Sequence, residues 1–434
     1  MTEARAEEAS TENVSLKEAF YVWLKIGVLS FGGPAAQIAL MHKLVVEEKR
    51  WLSEKQYLSG LSFCMLLPGP EAMQLASYAG WRLHGILGGL IAGLLFVIPG
   101  ALVVMVLASL YAFYGDIGWL EGVFLGIKAA VIIIVIEALL RVAKKSLGST
   151  DHWVIALLSF IAIFFIGVPY PLIVVAAGLY GFYISSSSSS AANSSALTSL
   201  PQHSYISTVT TVLLWLFIWS VPFFIIWFSG GHEFLLKLGA FFSKLAVVTF
   251  GGAYAVLAYL GQDVVTSFGW LTAGEMMDGL GLAETTPGPL ILVTEFVGFL
   301  AGFKEGGIAL AVVAALVTLW VTFVPCFLWI FAGAPYIEWI SEQPRLKSAL
   351  SAITAAVVGV ILNLSVWFAL HVWFRQVELS TRGILKLWVP AVDSLDWRVV
   401  VLTILCGIGL LVLHWSVVRV LLLAGALGFG VSLL

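Results

Sequence analysis

The chain has 434 residues, of which 60% are hydrophobic and 11% charged, and its mean hydropathy is +1.02. Soluble domains contain about 45–50% apolar and about 25% charged residues, so the composition excludes an ordinary soluble protein. Apolar runs of membrane-spanning length recur along the chain and are continuous, which predicts a polytopic α-helical membrane protein and excludes alternating β-barrel strands. The net charge of −3 gives no reason to expect a nucleic-acid partner. The three cysteines lie far apart, so we expect no disulfide framework, metal or cofactor.

Composition also marks the boundaries of the chain's parts. Residues 1–13 are acidic, the reverse of a basic signal-peptide start, and are predicted to be a flexible tail. A serine-rich tract at residues 185–204 reads as a linker. These features predict a first transmembrane repeat at 14–184 and a second at 205–434.

The two parts carry the same motifs in the same order, which indicates an internal duplication. An offset of 219 maps Phe31-Gly32-Gly33 onto Phe250-Gly251-Gly252, Trp51-Leu52 onto Trp270-Leu271, and Pro68-Gly69-Pro70 onto Pro287-Gly288-Pro289. Further along, the offset becomes 226 and takes Pro99 to Pro325 and Ala129-Ala130-Val131 to Ala355-Ala356-Val357.

Charge predicts that the two copies are inverted across the membrane. The loop 43–55 contains four basic residues, whereas its partner, 262–274, contains none, so the first is expected in the cytoplasm and the second outside. About five long apolar segments lie between residues 85 and 229, an odd number, as inversion requires. Arg375, Arg382 and Lys386 fall on the outer side and weigh against the assignment. The N-terminus is cytoplasmic if the interrupted helices are re-entrant hairpins, and outside if they span.

Each copy interrupts two apolar helices, at Phe-Gly-Gly and at Pro-Gly-Pro. Non-helical backbone at membrane depth is tolerated where it is buried in protein or lines a watery cavity, and inverted repeats with broken helices are typical of secondary transporters. We expect Pro34, Pro70 and Pro289 at the first position of new half-helices, whose free N–H groups would bind a tetrahedral dianion. The alternative is that the breaks only permit kinks or close packing.

The candidate substrate-binding residues lie in or beside these breaks. Lys25 and Lys244 occupy equivalent positions six residues before each Phe-Gly-Gly and are expected to counter an anion's charge. Ser30 and Thr249 are hydroxyl donors beside the same breaks. The complete predicted set is Lys25, Ser30, Gly32, Gly33, Pro34, Gln37, Pro68, Gly69, Pro70, Glu71, Gln74, Lys244, Thr249, Gly251, Gly252, Pro287, Gly288 and Pro289.

Three of these residues have no polar counterpart in the second copy. Gln37 and Gln74 are either direct ligands or amides satisfied within the core. Glu71 should lie in the first turn of a half-helix, where a carboxylate is favourable in itself, or it couples transport to protons. The first copy is therefore expected to supply most side-chain ligands.

Enzyme signatures are missing from the sequence. His232-Glu233 begins a zinc-protease motif, but Leu236 stands where a second histidine is required. The sequence has neither a nucleophile elbow nor a phosphate-binding loop, so we expect neither catalysis nor ATP-driven transport. A channel stays open as an alternative, because broken helices also build selectivity filters.

The doubled pattern of Phe-Gly-Gly followed by Pro-Gly-Pro resembles the long-chain chromate ion transporter family. The resemblance covers roughly residues 14–145 and 241–364 and implies export of chromate from the bacterial cytoplasm, across the inner membrane, conferring resistance. It also implies transport driven by potential or ion gradients, with sulfate as the structural analogue. Sulfate or another oxyanion as the everyday substrate remains an alternative.

Glycine-rich stretches such as 85–93 permit close helix packing, either within the chain or in a homodimer.

Overall fold

The computed structural model describes residues 14–115, 117–188, 205–250, 253–337, 340 and 343–433. The predicted tail, residues 189–204 of the predicted linker, and two predicted site residues, Gly251 and Gly252, lie outside the described residues. Within them the protein is predominantly helical, as the continuous apolar runs predict.

The first half contains seven helices in the part described. They are α1 (Leu16–Leu29), α2 (Gly33–His42, continued by a π-helical turn Lys43–Glu48), α3 (Glu54–Cys64), α4 (Glu71–Tyr114), α5 (Gly118–Ser146), α6 (Thr150–Ile161, continued by a π-helical turn Ala162–Ile166) and α7 (Tyr170–Ser188). Helix α7 thus extends four residues into the stretch predicted as linker.

The second half repeats this order after one additional helix. Its helices are α8 (Tyr205–Phe228), α9 (Glu233–Val248), α10 (Ala253–Gln262, continued by a π-helical turn Asp263–Ser267), α11 (Ala273–Thr285), α12 (Val293–Gly333), α13 (Pro344–Trp373), α14 (Trp397–Gly407, continued by a π-helical turn Ile408–Val412) and α15 (Val417–Ser432). A short 3₁₀ turn, Leu290–Leu292, precedes α12.

The longest helices, α4 and α12, are each folded back on themselves. In α4 the backbone leaves helical geometry at His84 and Gly85, where Gly85 has a φ of 61°. The arms 71–83 and 86–114 then pack so closely that a Cβ on Gly80 or Gly88 would collide with the other's carbonyl oxygen. Helix α12 reverses in the same way at residues 306 and 307. Each is therefore a short helix followed by a long one.

The interrupted helices of the first half form helical hairpins. The helix ends that lie farthest from the breaks contact one another. Glu18 at the start of α1 forms a 2.7 Å ion pair with Lys49, which follows α2. His84, at the end of the short arm of α4, bonds through Nε2 to the carbonyl oxygen of Val14 at 2.6 Å. The chain therefore begins α1 and α3 at one depth and returns to that depth after each break.

The second half has the same arrangement. Lys304, at the end of the short arm of α12, pairs with Glu275 in the first turn of α11 at 2.6 Å. Phe234 at the start of α9 packs edge-on against Trp270, beyond α10, with ring centroids 6.0 Å apart. Both halves therefore contain two re-entrant helical pairs, the geometry that sequence alone left open.

Long apolar helices surround these hairpins. By length and composition, five helices of the described part could cross a membrane, namely 71–114, 120–146, 206–228, 290–336 and 344–373. Helices α5 and α13, equivalent under the 226 offset, run antiparallel. Leu125 and Ala129 in the first half of α5 pack with Trp373 at the end of α13, whereas the end of α5 and the start of α13 line one cavity.

One element departs from the all-α expectation. Residues Val377–Arg382 and Leu385–Pro390 form an antiparallel β-hairpin, β1 and β2, with Arg382 opposite Leu385. Its two-residue loop begins with Gly383 at a φ of 65°, the conformation that a tight hairpin turn needs and glycine supplies. The α-helical prediction did not include this hairpin.

Candidate functional site

The Phe-Gly-Gly break separates α1 from α2 through two glycines in left-handed geometry. Gly32 and Gly33 have φ values of 84° and 79°, which residues with a Cβ rarely adopt. Helix α2 then begins at Gly33 with Pro34 in its first turn. A half-helix therefore starts at this break, but Pro34, which was expected at its first position, occupies the second.

The Pro-Gly-Pro breaks turn at their central glycine, with φ 123° at Gly69 and 91° at Gly288. Pro70 and Pro289 were expected at the first helical position. Each instead lies one residue earlier, as the extended cap residue before α4 or before the 3₁₀ turn at 290–292. Glu71 occupies the first turn of α4, as expected.

The breaks of the two halves are joined by reciprocal backbone hydrogen bonds. The Gly69 amide donates to the carbonyl oxygen of Thr249 at 2.9 Å, and the Gly288 amide donates to that of Ser30, also at 2.9 Å. Each Pro-Gly-Pro is therefore bonded to the residue preceding the other half's Phe-Gly-Gly. This arrangement, called the junction below, brings all four interruptions together in the interior.

The hydroxyls at the junction bond within their own helices. Ser30 Oγ donates to the carbonyl oxygen of Ile26 at 2.6 Å, and Thr249 Oγ1 donates to that of Leu245 at 2.5 Å. Both residues are buried. These bonds satisfy carbonyls that a helix leaves free at its C-terminus.

The two glutamines brace the first-half side of the junction. Gln37 Nε2 donates to the carbonyl oxygens of Gly288 at 2.7 Å and Ser30 at 3.3 Å. Gln74 Nε2 donates to that of Pro68 at 2.7 Å. Both Oε1 atoms are buried without a partner in the described part of the chain. The amide groups therefore hold the breaks in place, and this geometry supports the core-amide interpretation.

A cavity of about 1320 Å³, called the vestibule below, leads from one surface to the breaks. Its walls are α3, the end of α5 and the start of α13, and its inner end reaches Pro34 and Glu71 at the starts of α2 and α4. Five basic residues line it, outnumbering the two acidic ones, Glu54 and Glu71. The basic residues are Lys55, Arg141, Lys145, His152 and Lys347.

Hydroxyl groups accompany these charges. The vestibule is also lined by Ser53, Ser59, Ser62, Ser146, Ser351, Thr354 and Tyr254. Cations and hydroxyl donors on the walls of a cleft favour the entry of an anion. At its inner end the Tyr254 hydroxyl donates to buried Glu284 at 2.9 Å.

The predicted lysines lie elsewhere. Lys25 is exposed on α1, and Lys244 is exposed on α9 with its ammonium 5.8 Å from the centre of the Tyr259 ring. Neither lines the vestibule, so their role as anion contacts remains a prediction.

Sequence reasoning missed the vestibule's cations as site residues. Arg141, Lys145 and Lys347 are not among the predicted substrate-binding residues. Their spacing gives no motif, because they come from two helices distant in sequence. Among the described residues, no group of His, Cys, Asp and Glu could hold a metal ion.

Comparison with known proteins gives one family. The chain matches the family described as chromate transporter over residues 17–182 and 236–429, one segment in each half. It is 31% identical over 355 residues to a probable chromate transport protein of Synechococcus elongatus, covering 80% of this chain and 83% of the relative.

Two further relatives are named as chromate transport proteins. That of Cupriavidus metallidurans is 31% identical, covering 80% of this chain and 81% of the relative. That of Pseudomonas aeruginosa is 32% identical, covering 82% of this chain and 83% of the relative. No solved structure matches the chain. The resemblance seen in the doubled motifs is thereby confirmed.

Proposed function

The chain belongs to the chromate transporter family, and from this premise we propose that it is a secondary transporter that exports chromate across the bacterial inner membrane. The vestibule carries this proposal. It is large, predominantly basic, and ends at two half-helix starts beside the junction. Its basic side is the side that the positive-inside rule assigns to the cytoplasm.

The proposed binding site is the inner end of the vestibule. There the first turns of α2 and α4 direct free N–H groups and the positive end of the helix dipole toward the cavity. A tetrahedral dianion accepts hydrogen bonds from several directions and suits such termini. Arg141, Lys145 and Lys347 attract the anion and guide it inward.

The re-entrant geometry supports a cytoplasmic N-terminus and inverted halves. Among the described residues, five apolar helices, α4 (its long arm) and α5 to α8, lie between the first pair of hairpins and the second. An odd number of crossings between the two pairs is what inverted halves require. The antiparallel packing of α5 and α13 agrees with that assignment, and rocking of one half against the other would then alternate access.

A carrier explains the structure better than an open channel. The vestibule opens on one side, whereas Asp278 and Trp367, the counterparts of its lining residues Ser59 and Arg141, are buried on the other side. The N–H donors and cations of the vestibule suit sulfate as well as chromate, so sulfate serves as a competitor in the experiment.

The test is labelled chromate uptake into proteoliposomes, with membrane potential and pH gradient imposed separately. We expect saturable chromate flux that responds to one of the gradients and is reduced by excess sulfate. Liposomes containing the Gly69→Pro variant, which cannot donate the junction hydrogen bond, serve as the inactive control. Absence of chromate flux under every gradient, from protein that is monodisperse in detergent, would overturn the proposal. Flux that never saturates, at rates far above a carrier's, would indicate a channel.

A further inference from the structure

An ion pair between a partly exposed lysine and a buried aspartate lies on the side of the molecule opposite the vestibule. Lys128 Nζ on α5 is 3.2 Å from Asp278 Oδ2 on α11. The Tyr111 hydroxyl donates to the same oxygen at 2.8 Å. The Asp278 side chain is only 4% exposed. This cluster links three helices, α4, α5 and α11, drawn from both halves.

The repeat relates this ion pair to the open vestibule. Asp278 is the counterpart of Ser59 under the 219 offset, and Lys128 is the counterpart of Thr354 under the 226 offset. Ser59 and Thr354 both line the vestibule. The ion pair therefore occupies the position that is open on the other side of the molecule.

Two further counterparts are also packed against neighbouring side chains. Arg141 and Lys145 in the vestibule correspond to Trp367 and His371. Trp367 is buried, and its ring lies 4.2 Å from that of His371, centroid to centroid. Trp388 of strand β2 packs edge-on against His371, with centroids 5.2 Å apart. The β-hairpin thus covers this closed counterpart of the vestibule.

We propose that Lys128 and Asp278 form the outer gate of the transport pathway, and that opening it presents the Lys128 ammonium to the departing oxyanion. The proposal rests on the proposed function, because it requires the halves to exchange their open and closed states. A carboxylate removed from its ammonium partner in a buried site is strongly unfavourable. The ion pair therefore favours the closed state until another anion can face Lys128.

The test measures access from the outer side. A cysteine replaces Leu125, the counterpart of vestibule-lining Ser351, and is labelled with a membrane-impermeant maleimide in right-side-out vesicles. The chain without this cysteine gives the background from the three native cysteines, which are buried. In Lys128→Met/Asp278→Asn the pair is replaced by uncharged groups of similar size. We expect labelling about tenfold faster, which corresponds to about 1.4 kcal/mol less closed-state stability.

The matched control is Lys304→Met/Glu275→Gln, which neutralises both partners of another ion pair in the second half. It should label at the unmodified rate. The charge-swapped Lys128→Asp/Asp278→Lys should return labelling toward that rate, because the attraction is restored. If the double neutral variant is not monodisperse, Tyr111→Phe provides the milder change, removing one hydrogen bond to Asp278, and should label severalfold faster.

Unchanged labelling in the neutral variants, with chromate flux also unchanged, would overturn the gate and make the ion pair a static contact. Labelling needs no substrate. If the unmodified protein carries no chromate, the proposed function fails, while faster labelling of the neutral variant would still establish a gate for another solute.

Discussion

Gln37 illustrates what one side chain contributes at the junction. Its amide nitrogen bridges the carbonyl oxygens of Ser30 and Gly288, one from each half. A buried carbonyl that loses its donor loses a hydrogen bond without regaining water, at a cost of about 1–3 kcal/mol. Gln37 therefore stabilises the contact between the halves, which its sequence position could not reveal.

We predict that Gln37→Val, which copies the residue at the second half's equivalent position, lowers the free energy of unfolding by about 1–3 kcal/mol. The measurement is thermal unfolding of the detergent-solubilised protein. Gln376→Val, at an exposed position, is the control and should leave the melting temperature unchanged. An unchanged melting temperature for Gln37→Val, together with a much higher KM for chromate, would restore the direct-ligand interpretation.

Asp396 is a second residue whose contacts define a measurable effect. It caps α14 and pairs with Arg375 and Arg398 at 2.9 and 3.0 Å. Hydrogen bonds from Arg398, and then from Arg375, lower the pKa of the Asp396 carboxyl from its ordinary 3.8 to about 2. The carboxylate is therefore favoured in the folded state, and it joins Arg375, just before strand β1, to the start of α14.

A carboxyl with a lowered folded-state pKa stabilises the fold above its unfolded pKa and loses this effect as the pH falls toward the folded value. We predict that Asp396→Asn lowers the free energy of unfolding by about 1–2 kcal/mol at pH 7. The difference should stay constant down to about pH 5 and shrink between about pH 4 and pH 2. Denaturant unfolding at several pH values measures it, with exposed Asp393→Asn as the control. A pH-independent difference would mean that the cap acts without its charge.

At the scale of elements, the sequence located the interruptions but not their connections. Glycine and proline act on their own backbone, so Gly32-Gly33 and Pro68-Gly69-Pro70 could be recognised locally. The hydrogen bonds from Gly69 to Thr249 and from Gly288 to Ser30 join residues far apart in the chain. No local pattern encodes such a pairing.

The junction makes a prediction for its glycines. At Gly69, φ is 123°, and an added Cβ would lie 2.8 Å from Gln74 Nε2. Gly69→Ala should therefore destabilise the protein by about 1–3 kcal/mol, the typical cost of such backbone strain, and should reduce chromate flux. Gly118→Ala is the matched control, because a Cβ there meets nothing within 4 Å. Equal melting temperatures for both variants would show that the Gly69 turn can relax.

For the β-hairpin, the sequence contains a local pattern that the α-helical prediction did not use. Apolar and polar residues alternate over 377–380 and 385–387, on either side of Gly383, which is a pattern typical of a hairpin. The basic residues Arg382 and Lys386 were interpreted only as charges that bear on the membrane topology. The hairpin's packing over His371 and Trp367, by contrast, depends on tertiary contacts that the pattern does not contain.

At the scale of the whole molecule, the duplication could be predicted from the sequence because equivalent residues recur at fixed offsets. The vestibule was not, because its cations come from α3, α5, α6 and α13 and meet only in the folded chain. Lys25 and Lys244 were predicted as anion contacts because they occupy equivalent positions in the two copies. Helical periodicity, however, does not distinguish a helix face that lines a cavity from one that lies at the surface. The structure leaves both lysines exposed.

Anion binding by the vestibule's basic residues and anion binding by Lys25 and Lys244 predict opposite results in transport experiments. If the vestibule collects the anion, Lys145→Met/Lys347→Met should raise the KM for chromate about tenfold with little change in kcat, because electrostatic attraction raises local anion concentration at least that much. The effect should diminish as ionic strength rises, since salt screens the charges. Proteoliposome flux at several chromate and salt concentrations measures both. Lys304→Met removes an exposed cation outside the vestibule and should behave as the unmodified protein. If Lys25→Ala alone raises the KM while the vestibule variant does not, the anion binds where the sequence placed it, near α1, and the vestibule is not its route.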